Sequence, residues 1–224
     1  MTWNDWHMQE YNNIASTPYQ RNQIVQEYIK DFISDKEELV IVSMGAGQGR
    51  DILPLLHNNT THTVYLIDTE QKCLNYAEEY SLFNKIDNVH LINEDAFVLK
   101  TYNDIPKADL IIFCGMLNNV DEDDVNKFAK YTTLLLKDGG EIIWSRRTYD
   151  NDYNKELRAI FTNNGYIELN YTKNDTSFVC KSKMVSRPEI LNNWCPNPLK
   201  NPPDYDLDFD ENTQFYTFTF TEDE

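Results

Sequence analysis

A doubly wound α/β fold, seven strands in a mostly parallel sheet with helices on both faces and a C-terminal antiparallel hairpin, follows from three features of the sequence. Short strands that are apolar on both faces alternate with helical patterns, the mark of a buried parallel sheet. The first strand runs directly into a cluster of glycines, Gly45, Gly47 and Gly49, in a chain that holds only seven. Finally, two strand patterns separated by Lys173-Asn-Asp-Thr176 close the series as a hairpin.

Each element has its own signal. Residues 1–20 carry Trp3, Trp6, His7, Tyr11 and Tyr19 but few aliphatics. They read as an aromatic lid segment, with Trp3, Trp6 and His7 inside one helical turn. From Tyr19 to Ile33, Ile24, Val25, Tyr28, Ile29 and Phe32 recur at helical spacing. Leu39 to Met44 is the first strand, and Gly49-Arg50-Asp51 is expected to open a helix behind it. Val64 to Asp68 is the second strand, followed by a helix carrying Cys73, Leu74, Ala77, Tyr80, Leu82 and Phe83. Val89 to Asn93 is the third strand and Ala108 to Cys114 the fourth. A helix from Asp121 to Leu136 starts with four acids that complement its dipole, a capping role rather than a metal site. Asp138-Gly139 reads as the turn before the fifth strand, Gly140 to Ser145. A helix over 154–163 precedes the hairpin strands Tyr166 to Thr172 and Ser177 to Met184. The main domain is thus residues 21–185. Residues 186–224 form an acidic tail rich in proline, in which Phe215-Tyr-Thr-Phe-Thr-Phe220 alternates with strand period and is a candidate edge strand.

Composition narrows the function classes. A formal charge of −17 and only 20 Lys and Arg argue against a polyanionic partner, so no nucleic acid is expected. The N-terminus has neither a basic nor an apolar leader region, and no apolar run is long enough to span a bilayer, so a cytoplasmic location and no membrane partner are expected. Cys73, Cys114, Cys180 and Cys195 are widely spaced and suggest neither zinc nor a disulfide framework, and no metal is expected. Alternating acids at Asp204, Asp206, Asp208 and Asp210 lack the glycine and closing glutamate of a calcium loop. Oligomeric state is not legible in the sequence.

In a parallel α/β sheet, ligands bind beyond the carboxyl ends of the strands. Gly45 to Gly49, Asp68, Asp95 and Cys114 to Asn119 all follow such ends, so one crevice can collect them. Glycines let the backbone approach a ligand where a Cβ would collide. Asp68, about twenty residues beyond Gly49, stands where an acid accepts from both hydroxyls of a ribose. Asp95 can accept from an exocyclic amine such as that of adenine.

These residues resemble class I S-adenosyl-L-methionine (SAM)-dependent methyltransferases, with their Rossmann-like sheet. The resemblance covers residues 22 to 185 and rests on Gly45-Ala-Gly-Gln-Gly49, Asp68, Asp95 and the Asp109 to Cys114 strand. More narrowly, Trp3-x-x-Trp6-His7, Gly47-Gln-Gly-Arg-Asp51, Cys114-Gly115-x-x-x-Asn119-Val120 and Trp144-Ser-Arg-Arg147 are similar to a sparsely characterised group of bacterial methyltransferases. The resemblance implies that the glycines Gly45, Gly47 and Gly49 cradle the methionine part of SAM, Asp68 its ribose and Asp95-Ala96 its adenine, with Cys114 and Gly115 near the sulfonium; Ala46 and Asp51 are further candidate cofactor-binding residues. One departure is that Ser43 stands where these enzymes carry an acid two residues before the first glycine.

Methyl transfer needs a held nucleophile and exclusion of water more than it needs a nucleophilic side chain. The expected acceptor is a small molecule methylated on oxygen or nitrogen, less readily on carbon. Trp3, Trp6, Tyr11, Asn119 and Arg146 are the candidate acceptor-binding residues, and Arg146 with Arg147 could clamp a carboxylate. His7 is the candidate general base, because His57, His62 and His90 have structural roles suggested by their positions. Two alternatives stay open: a non-catalytic SAM or nucleoside binder, which would keep the cradle without a base, and a nicotinamide-dependent oxidoreductase, whose third glycine position holds Arg50 here.

Overall fold

The computed structural model describes residues 2–56, 60–120, 122–148 and 151–187. Seven strands, β1 (Val40–Met44), β2 (Thr63–Ile67), β3 (Val89–Ile92), β4 (Ala108–Cys114), β5 (Leu136–Arg147), β6 (Tyr166–Lys173) and β7 (Ser177–Met184), form one sheet in the order 3-2-1-4-5-7-6. The first five are parallel, and β7 runs antiparallel between β5 and β6. The loop joining β6 to β7 is set by Asn174, whose Oδ1 accepts the amide N–H groups of Thr176 (3.0 Å) and Ser177 (2.8 Å).

Both faces of the central strands are buried, and alternate residues feed separate cores. Val42, Met44, Ile111, Phe113, Ile142 and Trp144 face one core, shared with α4 (Glu122–Leu135) and α5 (Asn151–Asn163). Ile41, Leu110, Ile112 and Ile143 face the other, shared with α2 (Thr17–Ile33) and α3 (Gln71–Asn84). This division is why the strands read as apolar runs rather than as alternating ones.

The N-terminal segment forms helix α1 (Trp3–Tyr11), closed by a capping box in which Asp5 Oδ2 accepts the Thr2 N–H and Thr2 Oγ1 accepts the Asp5 N–H. Ser16 caps α2, with Pro18 in its first turn.

Two expectations are corrected on extent. No α-helix opens at Gly49-Arg50-Asp51. The Ile52 and Leu53 amides bond back to the Gly49 carbonyl, and a single 3₁₀ turn follows at Leu53–Leu55. Pro54 removes a donor there and the backbone is already extended at Leu56, so no i→i−4 ladder can propagate. Strand β5 also begins earlier than expected, at Leu136. The Asp138-Gly139 turn survives inside it as an irregularity between Ala108 and Leu110 on the partner strand, with Gly139 at φ +77°. The candidate edge strand Phe215 to Phe220 lies outside the described residues, as do His57 and Cys195. Among the described residues, no helix is long and apolar enough to cross a membrane.

Candidate active site

The loop after β1 is built by positive φ angles at Gly45 (+58°) and Gly47 (+54°), which side chains rarely tolerate. It is pinned at three points. Ala46 N–H donates to the Ile67 carbonyl (3.0 Å), Gly49 N–H to the Ala46 carbonyl (2.8 Å) and Gly47 N–H to Asp68 Oδ2 (2.6 Å). The other Asp68 oxygen accepts the Glu70 N–H at 2.8 Å. Burial raises the Asp68 pKa, while the two main-chain donors oppose that rise. A carboxylate has about four lone-pair positions, so two main-chain bonds leave Asp68 able to accept from a diol.

Helix α1 lies on this loop. A Cβ added to Gly47 would collide with the His7 imidazole, and one added to Gly45 would come within 2.8 Å of Met116. Gln48 Nε2 donates to Asn4 Oδ1 (2.7 Å), and Arg50 donates to Met8 Sδ (3.2 Å) and Asn12 Oδ1 (3.3 Å), so the loop itself ties the helix down. His7 stacks on Tyr11 (5.2 Å between centroids, 17°), and Trp6 stands edge-on to both rings. The residues expected to cover the crevice are therefore one aromatic group over the glycine loop; the side chain of Trp3 lies outside the described residues.

Beneath that cover is a cluster of polar groups at the ends of β1 and β4. The Ser43 hydroxyl donates to Asp51 Oδ2 (3.1 Å), while Asp51 Oδ1 is buried without a hydrogen-bond partner. Burial pushes the Asp51 pKa up to about 6, against the pull of Ser43 and two main-chain donors. Arg21, 8% exposed, packs its guanidinium against Gly115. Its charge acts on His7, Tyr11, Asp51 and Cys114 together. Burial raises the Tyr11 phenol and the Cys114 thiol, the latter to about 12, so both are neutral at pH 7. Burial, aided by Arg50 and Arg21, lowers His7 to about 4. His7 is therefore a neutral imidazole whose Nδ1 is buried and unpartnered.

The remaining candidates lie at the carboxyl ends of β3, β4 and β5. Asp95 Oδ1 accepts the Phe97 N–H (2.8 Å), and buried Ala96 receives the Tyr102 hydroxyl on its carbonyl (2.6 Å). Cys114 ends β4 beside Ser145, and the Gly115 N–H donates to the Ser145 carbonyl (3.2 Å). Arg146 is 4% exposed at the end of β5. Asn119 ends the 3₁₀ turn Met116–Asn119, and its side chain lies outside the described residues. Arg21 escaped the sequence reading, although a signal existed: it shares the buried stripe of α2 with Val25, Tyr28 and Phe32, a charge on an apolar face.

The fit to SAM is tested by the orphaned Asp51 oxygen. An acid is missing at Ser43, yet Ser43 orients another acid from eight residues on, and a buried guanidinium stands in the same cluster. An unpaired carboxylate oxygen and a cation suit the ammonium and carboxylate of an amino-acid end. The glycine loop and Asp68 suit the ribose side. The residues present fit the group.

A parallel sheet ending in a reversed hairpin, with this loop after its first strand, is the class I SAM-dependent methyltransferase fold, and the match to the methyltransferase family makes the protein such an enzyme, with SAM as its cofactor. The chain belongs to the methyltransferase domain family, whose pattern it matches over residues 35–208. Solved structures share the fold. A possible exported protein from Bordetella parapertussis is 14% identical, with 75% of this chain and 68% of that one covered and a TM-score of 0.65. The PH0226 protein from Pyrococcus horikoshii is 15% identical (80% and 98% covered, TM-score 0.61). Magnesium protoporphyrin IX methyltransferase from Synechocystis, solved with bound SAM, is 16% identical (82% and 98% covered, TM-score 0.58). No curated protein sequence matches the chain significantly. Family membership decides for methyl transfer over the nicotinamide-dependent and non-catalytic alternatives.

Proposed function

We propose that the protein methylates an oxygen or nitrogen of a small-molecule acceptor, with Asp51 and Arg21 seating the amino-acid end of SAM, Asp68 its ribose and Asp95-Ala96 its adenine. The observation that carries this reading is the buried, unpartnered Asp51 oxygen in the field of Arg21. When bound, SAM supplies an activated methyl on a sulfonium, which leaves as a neutral thioether. The chain's own residues then have to hold the acceptor in line, exclude water and receive its proton. The α1 aromatics Trp6 and Tyr11, held on the loop by Gln48 and Arg50, serve the exclusion.

His7 is the candidate proton acceptor in this reading, through the unpartnered Nδ1. A pKa of about 4 makes it a weak base, but an attacking oxygen or nitrogen grows strongly acidic as its bond to the methyl forms. His7→Asn should keep SAM affinity and lower methyl transfer about a hundredfold. Near-normal turnover by that variant would remove His7 from the chemistry.

Calorimetry with S-adenosylhomocysteine and with 5′-methylthioadenosine, which lacks the amino-acid end, tests the seat itself. Arg21→Gln and Asp51→Asn should each weaken S-adenosylhomocysteine at least tenfold and leave methylthioadenosine within about twofold, since a charged hydrogen-bond partner contributes about 1.5–3 kcal/mol. Equal losses for both ligands would place the two residues elsewhere.

A further inference from the structure

The described residues carry a second group of orphaned polar atoms, separate from the cradle. Trp144 Nε1, Thr148 Oγ1, and both Nδ2 and Oδ1 of Asn154 are buried with no hydrogen-bond partner. Asn154 is 2% exposed. Buried amides in folded proteins nearly always find partners, so one with neither its donor nor its acceptor satisfied calls for an explanation.

Strand and helix geometry bring Asn154 and Thr148 together, with the Trp144 indole about 10 Å deeper on the same face. Residues 144, 146 and 148 alternate onto one face of β5, and Trp144 shows that this is the α5 face, because its ring stacks on Phe161 of α5 at 4.5 Å. Asn154, Leu157 and Phe161 share one stripe of α5, with Leu157 and Phe161 in the same core as Trp144. Strands β5 and β6 run in the same direction, so α5 between them runs back against β5. Seven helical residues from Phe161 to Asn154 span about 10 Å toward the carboxyl end of β5. Three strand residues beyond Trp144 span about the same distance. Asn154 therefore stands level with Arg146 and Thr148, on the face they share. That level is next to Cys114 and Gly115, since Cys114 pairs with Ser145 in register.

Resting on the methyl-transfer reading above, we infer that Asn154 and Thr148 form the acceptor subsite and that it recognises a neutral group with a donor and an acceptor side by side, a carboxamide or lactam edge. The amide of Asn154 offers one N–H donor and one carbonyl acceptor in a plane, the complement of another amide. A carboxylate would satisfy the Asn154 N–H but leave Asn154 Oδ1 without a donor, which works against it in a buried site, while the Arg146 guanidinium on the same face works for it. An alkylammonium leaves the Asn154 amide N–H unmet for the same reason. An unsatisfied buried polar group is a stability cost that binding a partner removes.

The test uses the full chain and three probes of similar shape, benzamide, benzoate and benzylamine, with binding followed by ligand-observed NMR in the presence and in the absence of S-adenosylhomocysteine. Benzamide should bind at least tenfold more tightly than the other two. Asn154→Leu should abolish that preference while keeping S-adenosylhomocysteine affinity, and it should raise the melting midpoint, because an unsatisfied buried amide is replaced by an apolar side chain. A structural role predicts the opposite sign. Preference for benzoate would reassign the site to Arg146 as an anion clamp and overturn the proposal, as would an Asn154→Leu variant that melts lower than the wild type or still prefers benzamide. Failure to bind S-adenosylhomocysteine would instead count against the cofactor reading, leaving the benzamide preference of the unliganded protein to be judged separately.

Discussion

At the scale of single residues, the site holds two titrating groups whose burial works in opposite directions. Asp51 rises from the ordinary 3.8 to about 6, so its charged form is disfavoured by folding. That cost is absent below pH 4 and grows as pH rises to about 6. His7 falls from 6.5 to about 4, so its charged form is also disfavoured, but here the cost grows as pH drops from 6.5 toward 4. Thermal melts across pH 4 to 7 should therefore separate them. Asp51→Asn should raise the midpoint at pH 7 more than at pH 4, and His7→Asn should raise it at pH 4 more than at pH 7. Ligand binding carries the same signature. The ammonium seat needs ionised Asp51, so S-adenosylhomocysteine should weaken roughly tenfold per pH unit below 6. An affinity flat from pH 7 to 5 would dissociate Asp51 from the ligand. Asp68 belongs to a different part of the site. Asp68→Ala removes acceptors for two ribose hydroxyls as well as the anchor of the Gly47 N–H, and should lower affinity by about 1.5–3 kcal/mol for S-adenosylhomocysteine and methylthioadenosine alike.

Among elements, α1 is held on the glycine loop by polar contacts beside the packing of its own rings. Its hold on the loop runs through Gln48 to Asn4 and Arg50 to Met8 and Asn12, rather than through a large apolar face. Contacts of that kind open at lower cost than core contacts. Removal of residues 1–12 should speed S-adenosylhomocysteine association severalfold in stopped-flow measurements and lower acceptor turnover at least tenfold. Unchanged turnover would mean that α1 only pads the rim. The sequence showed this segment as aromatic and aliphatic-poor but not that His7 would meet Gly47, a contact between residues joined only by the closed loop. The parallel strands were legible because residues such as Ile41 and Val42 bury on opposite faces of one sheet, leaving no polar alternation to confuse the pattern. The expected helix after Gly49 was not, because one proline and an early return to extended backbone at Leu56 outweigh a good glycine-loop signal. Arg21 and Asn154 went unread for a shared reason. Each sits on an otherwise apolar stripe, where helical periodicity assigns the position to packing and only the folded chain shows that its polar atoms have no ordinary partner or unusual neighbours.

On the scale of the whole molecule, the formal charge of −17 sets two expectations that no single residue carries. Eight acids follow Lys200 with no compensating base, so close to half of that charge lies at one end of the sequence. Like charges raise the free energy of the compact state, and salt screens them over about 10 Å at 0.1 M. The melting midpoint should therefore rise as sodium chloride goes from 10 to 150 mM, with most of the gain complete by the upper value. The same field bears on partners. A chain with 20 bases against 37 acids should pass a heparin column without retention at 150 mM salt, since phosphate or sulfate binding requires clustered cations released from counterions. Retention would reveal a basic patch that the overall charge conceals, and would shift the search for the acceptor from small molecules to polyanions. Arg146 and Arg147 at the end of β5 are the bases such a patch would need beside the proposed subsite. Replacing Arg147, the exposed one of the pair, by Gln is then the discriminating variant: it should leave benzamide binding unchanged and would abolish heparin retention if that patch existed.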